Sequence, residues 1–359
     1  MRFEKIRINN FRNISSQVVD IDAGDIVLIG ENAQGKTNFL EALYTLCYGS
    51  SFKTPNLREA VKHGEEGFLI EATFINDYEE RQYIMFSYEN GKRNIEIDGK
   101  RVVDRKELIY QFPCIVFSHE DIEFLKGEPE TRRKFFDQMM SLSNPSFLDD
   151  IRLYRNVLAK RNAAIKTQDR SLITLYDGRL AKYGLSIMNE RDKAVEEFNS
   201  IFPSLFSDVS GGKDDLYIHY QKSWSDVESE EDIVSILNDT IDRDIKMQTT
   251  TSGIHRDRFS VRDGNGIFNQ TGSTGQLRLC SLIFRIVESK VFENSTEKKP
   301  VLLFDDVLLE LDDRKRSIFL DHIDSYSQAF FTFLPREKYF NENHRKPLCY
   351  NVVDGKYSL

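Results

Sequence analysis

Apolar and polar positions alternate through the first residues of the chain. Phe3, Ile6, Ile8 and Phe11 stand among charged residues and asparagines, the pattern of a half-buried strand. The run Asp25–Ile29 is short, apolar and ends at Gly30, which predicts a fully buried strand. Phe39, Leu40, Leu43, Leu46 and Cys47 then recur at helical spacing, predicting a helix over Thr37–Tyr48. Phe68–Phe74, Gln82–Tyr88 and Asn94–Ile97 alternate like strands of a meander, with Asn90-Gly91 and Asp98-Gly99 as hairpin turns. Pro113–Phe117 predicts another strand.

After Glu120 the period changes. Arg132–Met140, Phe147–Lys166 and Leu172–Phe198 predict helices, the last interrupted by Gly178 and Gly184. A break over 167–171 makes the second and third an antiparallel pair. Past Pro203, strands return at Leu216–Gln221 and Asp257–Val261. A helix follows over Gln276–Phe292, then a buried strand (Val301–Phe304), a helix (Asp313–Ile323) and a last strand (Ala329–Phe333). The plan is an α/β lobe over 1–118, a helical insertion over 119–202, and the same lobe completed over 203–359.

Composition narrows the class. In 359 residues, 40% are apolar and 30% charged, enough for one large or two medium cores. No apolar run approaches the roughly 18 residues of a membrane span, and MRFEKIRINNF carries charges where a signal peptide needs an apolar core. Cys47, Cys114, Cys280 and Cys349 are widely spaced, which argues for free thiols and a cytoplasmic protein. The net charge of −9 counts against a small, wholly basic nucleic-acid-coating protein. It leaves room for a local basic face, since Ile151–Arg170 holds six basic residues and one acid.

Gly30-Glu31-Asn32-Ala33-Gln34-Gly35-Lys36-Thr37 matches the phosphate-binding pattern G-x-x-x-x-G-K-[ST] between a predicted strand and helix. Its glycines let backbone N–H groups turn toward an anion at a helix N-terminus. Lys36 is placed to reach the β- and γ-phosphates of ATP, the Thr37 hydroxyl to bind Mg²⁺, and Asn38 to sit beside the loop. Val301–Phe304 delivers Asp305 to a strand end as a second Mg²⁺ group, with Asp306 as a water-positioning carboxylate. Ser273-Thr274-Gly275-Gln276, ahead of a long helix, reads two ways. It is an ordinary N-cap after a glycine turn, or a second anion cradle that closes on ATP bound by a partner subunit.

The order of these blocks is that of ABC-type ATPase heads, with an insertion far too short for the long coiled coils of SMC proteins. Over nearly the whole chain the sequence resembles the RecF family of bacterial recombination mediators. The resemblance rests on Phe11-Arg12-Asn13, Gly30–Thr37 with Asn38–Leu43, and Val116–Asp121 with Gly127, Arg132, Arg133 and Asp137. Tyr154–Leu158 with Arg161 and Asn162, Gly253–Asp257, and Asp305-Asp306 with Glu310–Asp312 complete it. The family pattern differs at His119 and Ile254 (usually Pro), at Arg258 (usually an acid) and at Leu277 (usually Gln). The resemblance implies an ABC-type P-loop head with a helical arm. It implies a slow ATPase used as a switch, a homodimer formed on ATP, and binding at single-stranded gaps and duplex junctions. Work with RecR and RecO, loading of RecA, and roles in repair and SOS induction are implied too. Arg132, Arg133, Arg152, Arg155 and Arg161 are candidate DNA contacts or a solvated face. His255-Arg256-Asp257 is either a structural turn or a contact to DNA or a partner subunit. A head that regulates a nuclease is the alternative. A transporter-type ABC ATPase fits poorly, because that class carries a histidine after the last strand, whereas this chain has Phe331-Thr332-Phe333.

Overall fold

The computed structural model describes residues 1–212, 215–264, 266–323, 325–335 and 347–359. It packs as two units, one of Met1–Glu120 and Phe292–Leu359, the other of Asp121–Val291.

The first unit is built on a six-stranded sheet in the order 356–358, 348–353, 25–29, 328–333, 301–304, 114–117. Its strands are parallel except for the antiparallel Lys356–Ser358. Every residue of Val301–Phe304, Gln328–Phe333 and Cys114–Phe117 is buried, as expected of parallel strands covered on both faces. A second, antiparallel sheet runs Ile14–Asp20, Arg2–Phe11, Gly67–Ile75, Arg81–Glu89, Lys92–Ile97, Lys100–Arg101. Asn90-Gly91 and Asp98-Gly99 join its hairpins with all four φ angles positive, the requirement of a type I′ turn. One core unites both sheets with the helix Lys36–Tyr48, through residues such as Phe3, Phe39, Leu43, Phe74 and Phe330.

The second unit centres on the helices Pro129–Ser143, Pro145–Thr167 and Arg170–Ser210. The long pair turns at Gln168, whose φ is 55°, and restarts at Asp169, whose carboxylate accepts from Leu172 N at 3.0 Å. Gly184 does not interrupt the third helix. A side chain there would meet Trp224 at 2.5 Å, so the glycine is where the buried tryptophan packs. Nor does Pro203 end it, because Phe198, Phe202 and Phe206 on the same face stay buried through the proline. A three-stranded sheet of Tyr217–Gln221, Arg258–Asp263 and Gly266–Ile267 lies in this unit. Phe259 of that sheet stacks on Phe136 at 4.3 Å, and Phe284 packs on Phe198 at 5.0 Å. The segment 203–291 therefore buries its apolar side with the arm helices, whereas the sequence pattern assigned 203–359 as one head segment.

Candidate nucleotide site and the basic surfaces

The site lies at the carboxyl ends of the parallel strands, where ligands of open α/β sheets bind. Gly30 follows Ile29 directly, and a Cβ at Gly30 would come within 2.5 Å of the Val352 carbonyl. Gly35 has φ 113°, closed to side chains, and serves as N-cap of the Lys36–Tyr48 helix without capping it through a side chain. The first-turn N–H groups, which a helix cannot satisfy itself, are thus left for an anion. Lys36, 3% exposed, curls back over the loop, donating to Gly30 O at 2.8 Å and Glu31 O at 3.3 Å. Its ammonium stands 3.7 Å from Asp306 Oδ2.

Thr37 and Asp305 meet although they are 268 positions apart, the hydroxyl donating to Asp305 Oδ1 at 2.6 Å. Burial pushes the Asp305 carboxyl above its ordinary range, against the pull of the Thr37 hydrogen bond. A buried carboxylate beside a hydroxyl is the donor set that fits Mg²⁺ with waters and phosphates as its remaining ligands. Asp306 adopts φ 54° and is pinned by Thr332. Its backbone N donates to Thr332 Oγ1 at 2.7 Å, and that hydroxyl donates to Asp306 Oδ1 at 2.7 Å.

Two braces of the loop escaped the sequence pattern. The hairpin Leu348–Val353 and Lys356–Ser358 supplies Tyr357, whose hydroxyl donates to Gly35 O at 2.9 Å, and Gly355 N, which donates to Gln34 O at 2.8 Å. Asp354-Gly355 between alternating apolar residues was its legible signal. On the other side, Asn13 Nδ2 donates to Gln34 O at 3.1 Å, and Asn38 Nδ2 to Asn13 Oδ1 at 2.9 Å. Arg12 forks onto the fully buried Glu41 of the loop's own helix, at 2.9 and 2.6 Å. Glu31, Asn32 and Ala33 form the exposed crest of the loop, where Ala33 has φ 64°.

In the second unit, Ser273, Thr274, Gly275 and Gln276 are all exposed. Ser273 N donates to Gln276 Oε1 at 2.9 Å and Gln276 N to Ser273 Oγ at 3.3 Å, a reciprocal cap that opens the helix Thr274–Thr296. Leu277 turns inward, 2% exposed, which accounts for an apolar residue there.

The basic residues part company. Arg152 and Arg155 are exposed on Pro145–Thr167. Arg132 is tied down, donating to Leu125 O at 3.0 Å and Gly127 O at 2.8 Å, and Arg133 donates to Asp257 O at 2.7 Å. Arg161 is no DNA contact. It is 0% exposed, held by Asp177 and Asp244 at 2.6 Å each and by Thr250 at 2.9 Å. Asp257 is structural as well. It is 1% exposed, accepting from Arg191 at 2.8 Å, Tyr220 at 2.5 Å and Ser223 N at 2.8 Å. Arg191 in turn holds Asp137 at 2.8 Å. The partner of Asp257 is therefore Arg191, not its neighbour Arg256, which is exposed. Burial lowers the pKa of His255 to about 4, so its ring is neutral at pH 7.

Fold and site together define an ABC-type P-loop ATPase head with a helical arm. A family model described as the RecF/RecN/SMC N terminal domain matches residues 2–353. The chain is 37% identical to the DNA replication and repair protein RecF of Treponema pallidum (strain Nichols), over 96% of this chain and 98% of the relative. The chain belongs to the RecF family of DNA replication and repair proteins. It is 30% identical to the RecF of Leptospira interrogans serogroup Icterohaemorrhagiae serovar Lai, over 92% and 91% of the two chains. Among solved structures it resembles an ATP complex of the recombination mediator RecF of the RecFOR pathway. The TM-score is 0.90 at 29% identity, covering 99% of this chain and 97% of that one. An Smc head bound to the C-winged helix domain of ScpA shares the fold, with a TM-score of 0.59 at 16% identity. Among the described residues no helix is long and apolar enough to cross a membrane.

Proposed function

We propose that the chain is an ATP-gated, DNA-binding recombination mediator. The observation that carries this reading is the uncapped, glycine-built anion loop, with Lys36 folded over it, in a chain of the RecF family. ATP occupies Gly30–Thr37 beside Asn38, and Mg²⁺ is held by Thr37 and Asp305, supplying charge neutralisation for the phosphates. Lys36 neutralises charge on the phosphates, and Asp306, aimed by Thr332, orients the attacking water. Turnover is slow, since the output of such a switch is a shift in population rather than product. Ser273, Gly275 and Gln276 of one subunit close on the nucleotide of another, so that ATP drives a homodimer. The exposed Arg152 and Arg155 meet the phosphates of gapped DNA or a duplex junction, and Arg132 and Arg133 add the donors their carbonyl bonds leave over. The RecFOR pathway of the solved relative supports RecO and RecR as partners, and with them RecA loading, a part in SOS induction and a cytoplasmic location.

Anisotropy of a labelled gapped duplex tests this reading directly. Tight binding with ATP·Mg²⁺ and weak binding with ADP is expected; equal binding in both states removes DNA from what the switch controls. Ser273→Arg is expected to leave ATP binding by the monomer intact and to abolish ATP-driven dimerisation, read by light scattering. The lost cap costs only about 1 kcal/mol, so a variant that still dimerises on ATP refutes closure by Ser273 in trans. Thr332→Val removes both hydrogen bonds to Asp306 at nearly constant volume. ATP binding persists while hydrolysis falls roughly tenfold, the size of one lost charge-assisted bond. Unchanged turnover in a colorimetric phosphate assay refutes the orienting role.

A further inference from the structure

The second unit holds a cavity of about 510 Å³ outside the nucleotide loop. Its cations come from separate segments: Arg133 and Lys134 from Pro129–Ser143, Arg155 from Pro145–Thr167, the buried Arg191 from Arg170–Ser210, and Arg256 from the turn Ile254–Arg256. A solvated charged face spreads such groups along one helix; here the fold gathers them into one recess. Two acids also line it, and both are engaged. Glu130 pairs with Lys134 at 2.8 Å, and Asp137 pairs with the buried Arg191 at 2.8 Å, with Arg155 at 3.7 Å.

Arg133 and Arg256 instead spend a donor each on a backbone carbonyl, Asp257 O at 2.7 Å and Thr250 O at 3.3 Å. Each keeps the rest of its fork for another acceptor. Partial burial, and then repulsion from Arg191, push the Arg133 guanidinium below its ordinary range, against the pull of Glu130, Asp137 and Asp257. One wall is apolar, formed by Ile151, Leu158 and Ile254. The volume lies within the roughly 300–1,000 Å³ of small-ligand pockets.

The gathered cations select among phosphates by charge. A phosphodiester within a strand carries one charge and has chain leaving on both sides, which suits an open groove. A phosphomonoester carries about −1.5 to −2 charges at neutral pH and can enter a recess end-on. We propose that this cavity is a phosphomonoester site, in which Arg133, Arg155 and Arg256 hold a terminal phosphate and the apolar wall covers the group that bears it. The phosphate comes from the end of a nucleic-acid strand or from a free small phosphoester.

The test uses full-length protein with the nucleotide loop saturated by ATP·Mg²⁺. Anisotropy compares short single-stranded oligonucleotides ending in a hydroxyl, a 5′ phosphate or a 3′ phosphate. About tenfold tighter binding of a phosphorylated end is expected, the effect of one charge-assisted contact. Arg155→Gln/Arg256→Gln erases that preference. Arg243→Gln/Lys246→Gln removes the same charge from another exposed face of the unit and keeps it. Calorimetric titration with inorganic phosphate and ribose 5-phosphate covers the free source. Saturable binding that Arg155→Gln/Arg256→Gln loses, without an end preference, upholds the site and assigns it to a small phosphoester. That arm stands even where the protein binds no oligonucleotide, so failure of the DNA reading and failure of the pocket are distinguishable. Absence of both effects, or equal loss in the control variant, overturns the proposal. Unfolding followed at Trp224 qualifies each variant, and Arg256→Gln alone replaces the double variant if that one does not fold.

Discussion

Lys36→Ala loses ATP affinity by on the order of a hundredfold or more. The ammonium is 3% exposed and ties the loop to itself through Gly30 O and Glu31 O. It is also the cation set against Asp306 at 3.7 Å, with Asp305 alongside. Without it, two carboxylates face the place where a polyanion must enter, and repulsion replaces attraction. The scaffold survives, because Arg12–Glu41 and the Tyr357 hydroxyl brace the loop independently. Titration with a fluorescent ATP analogue measures the loss, and thermal unfolding of the variant confirms that the head is intact. Wild-type affinity in that variant refutes the assignment of Gly30–Thr37 as the nucleotide loop.

Arg191→Met unfolds the second unit under conditions where the wild type is folded. Its guanidinium lies between Asp137 and Asp257 and also donates to Ile254 O, all at 2.8–2.9 Å. Removing one member of a buried ion network strands the others, at about 3–5 kcal/mol. That is a large share of the 5–15 kcal/mol typical of a domain. Trp224, the chain's one tryptophan, is buried in this unit and reports its urea unfolding. The deficit shrinks on acidification. Burial already holds the Asp257 carboxyl above its ordinary range against the pull of Arg191, so without that cation the folded variant takes up protons at a higher pH than the wild type does. An unshifted midpoint, or a deficit independent of pH, counts against the network.

The strand, glycine loop and helix of the candidate nucleotide site were legible because their pattern is local. Strand, glycine turn, lysine and helix follow one another within 25–48, and each is recognisable from spacing alone. The parallel strands were legible for a related reason, since strands buried on both faces read as short apolar runs. What escaped depends on partners distant in sequence. Arg161 looked like its exposed neighbours, and only the packing of Asp177 and Asp244 around it shows a buried ion pair. Gly184 and Pro203 looked like interruptions because the pattern cannot display Trp224 or the row of phenylalanines that holds the helix together. The helices Glu230–Asp239 and Ile241–Met247 hid in an acidic stretch whose apolar anchors, Ile233 and Leu237, are sparse. The last hairpin carried a turn signal but gained its meaning from Gln34 and Gly35.

That hairpin also sets an order of events during synthesis. The strand Asp25–Ile29 emerges early, yet both of its sheet neighbours, Gln328–Phe333 and Leu348–Val353, are translated near the other end of the chain. Asp121–Val291 is complete well before either neighbour exists and is free to collapse on its own. The phosphate loop must wait for Tyr357, made 322 positions after Gly35. Long-range strand pairing of this kind is slow, so the central strand spends that interval as an unpaired apolar edge, the segment of a nascent chain that chaperones exist to shield.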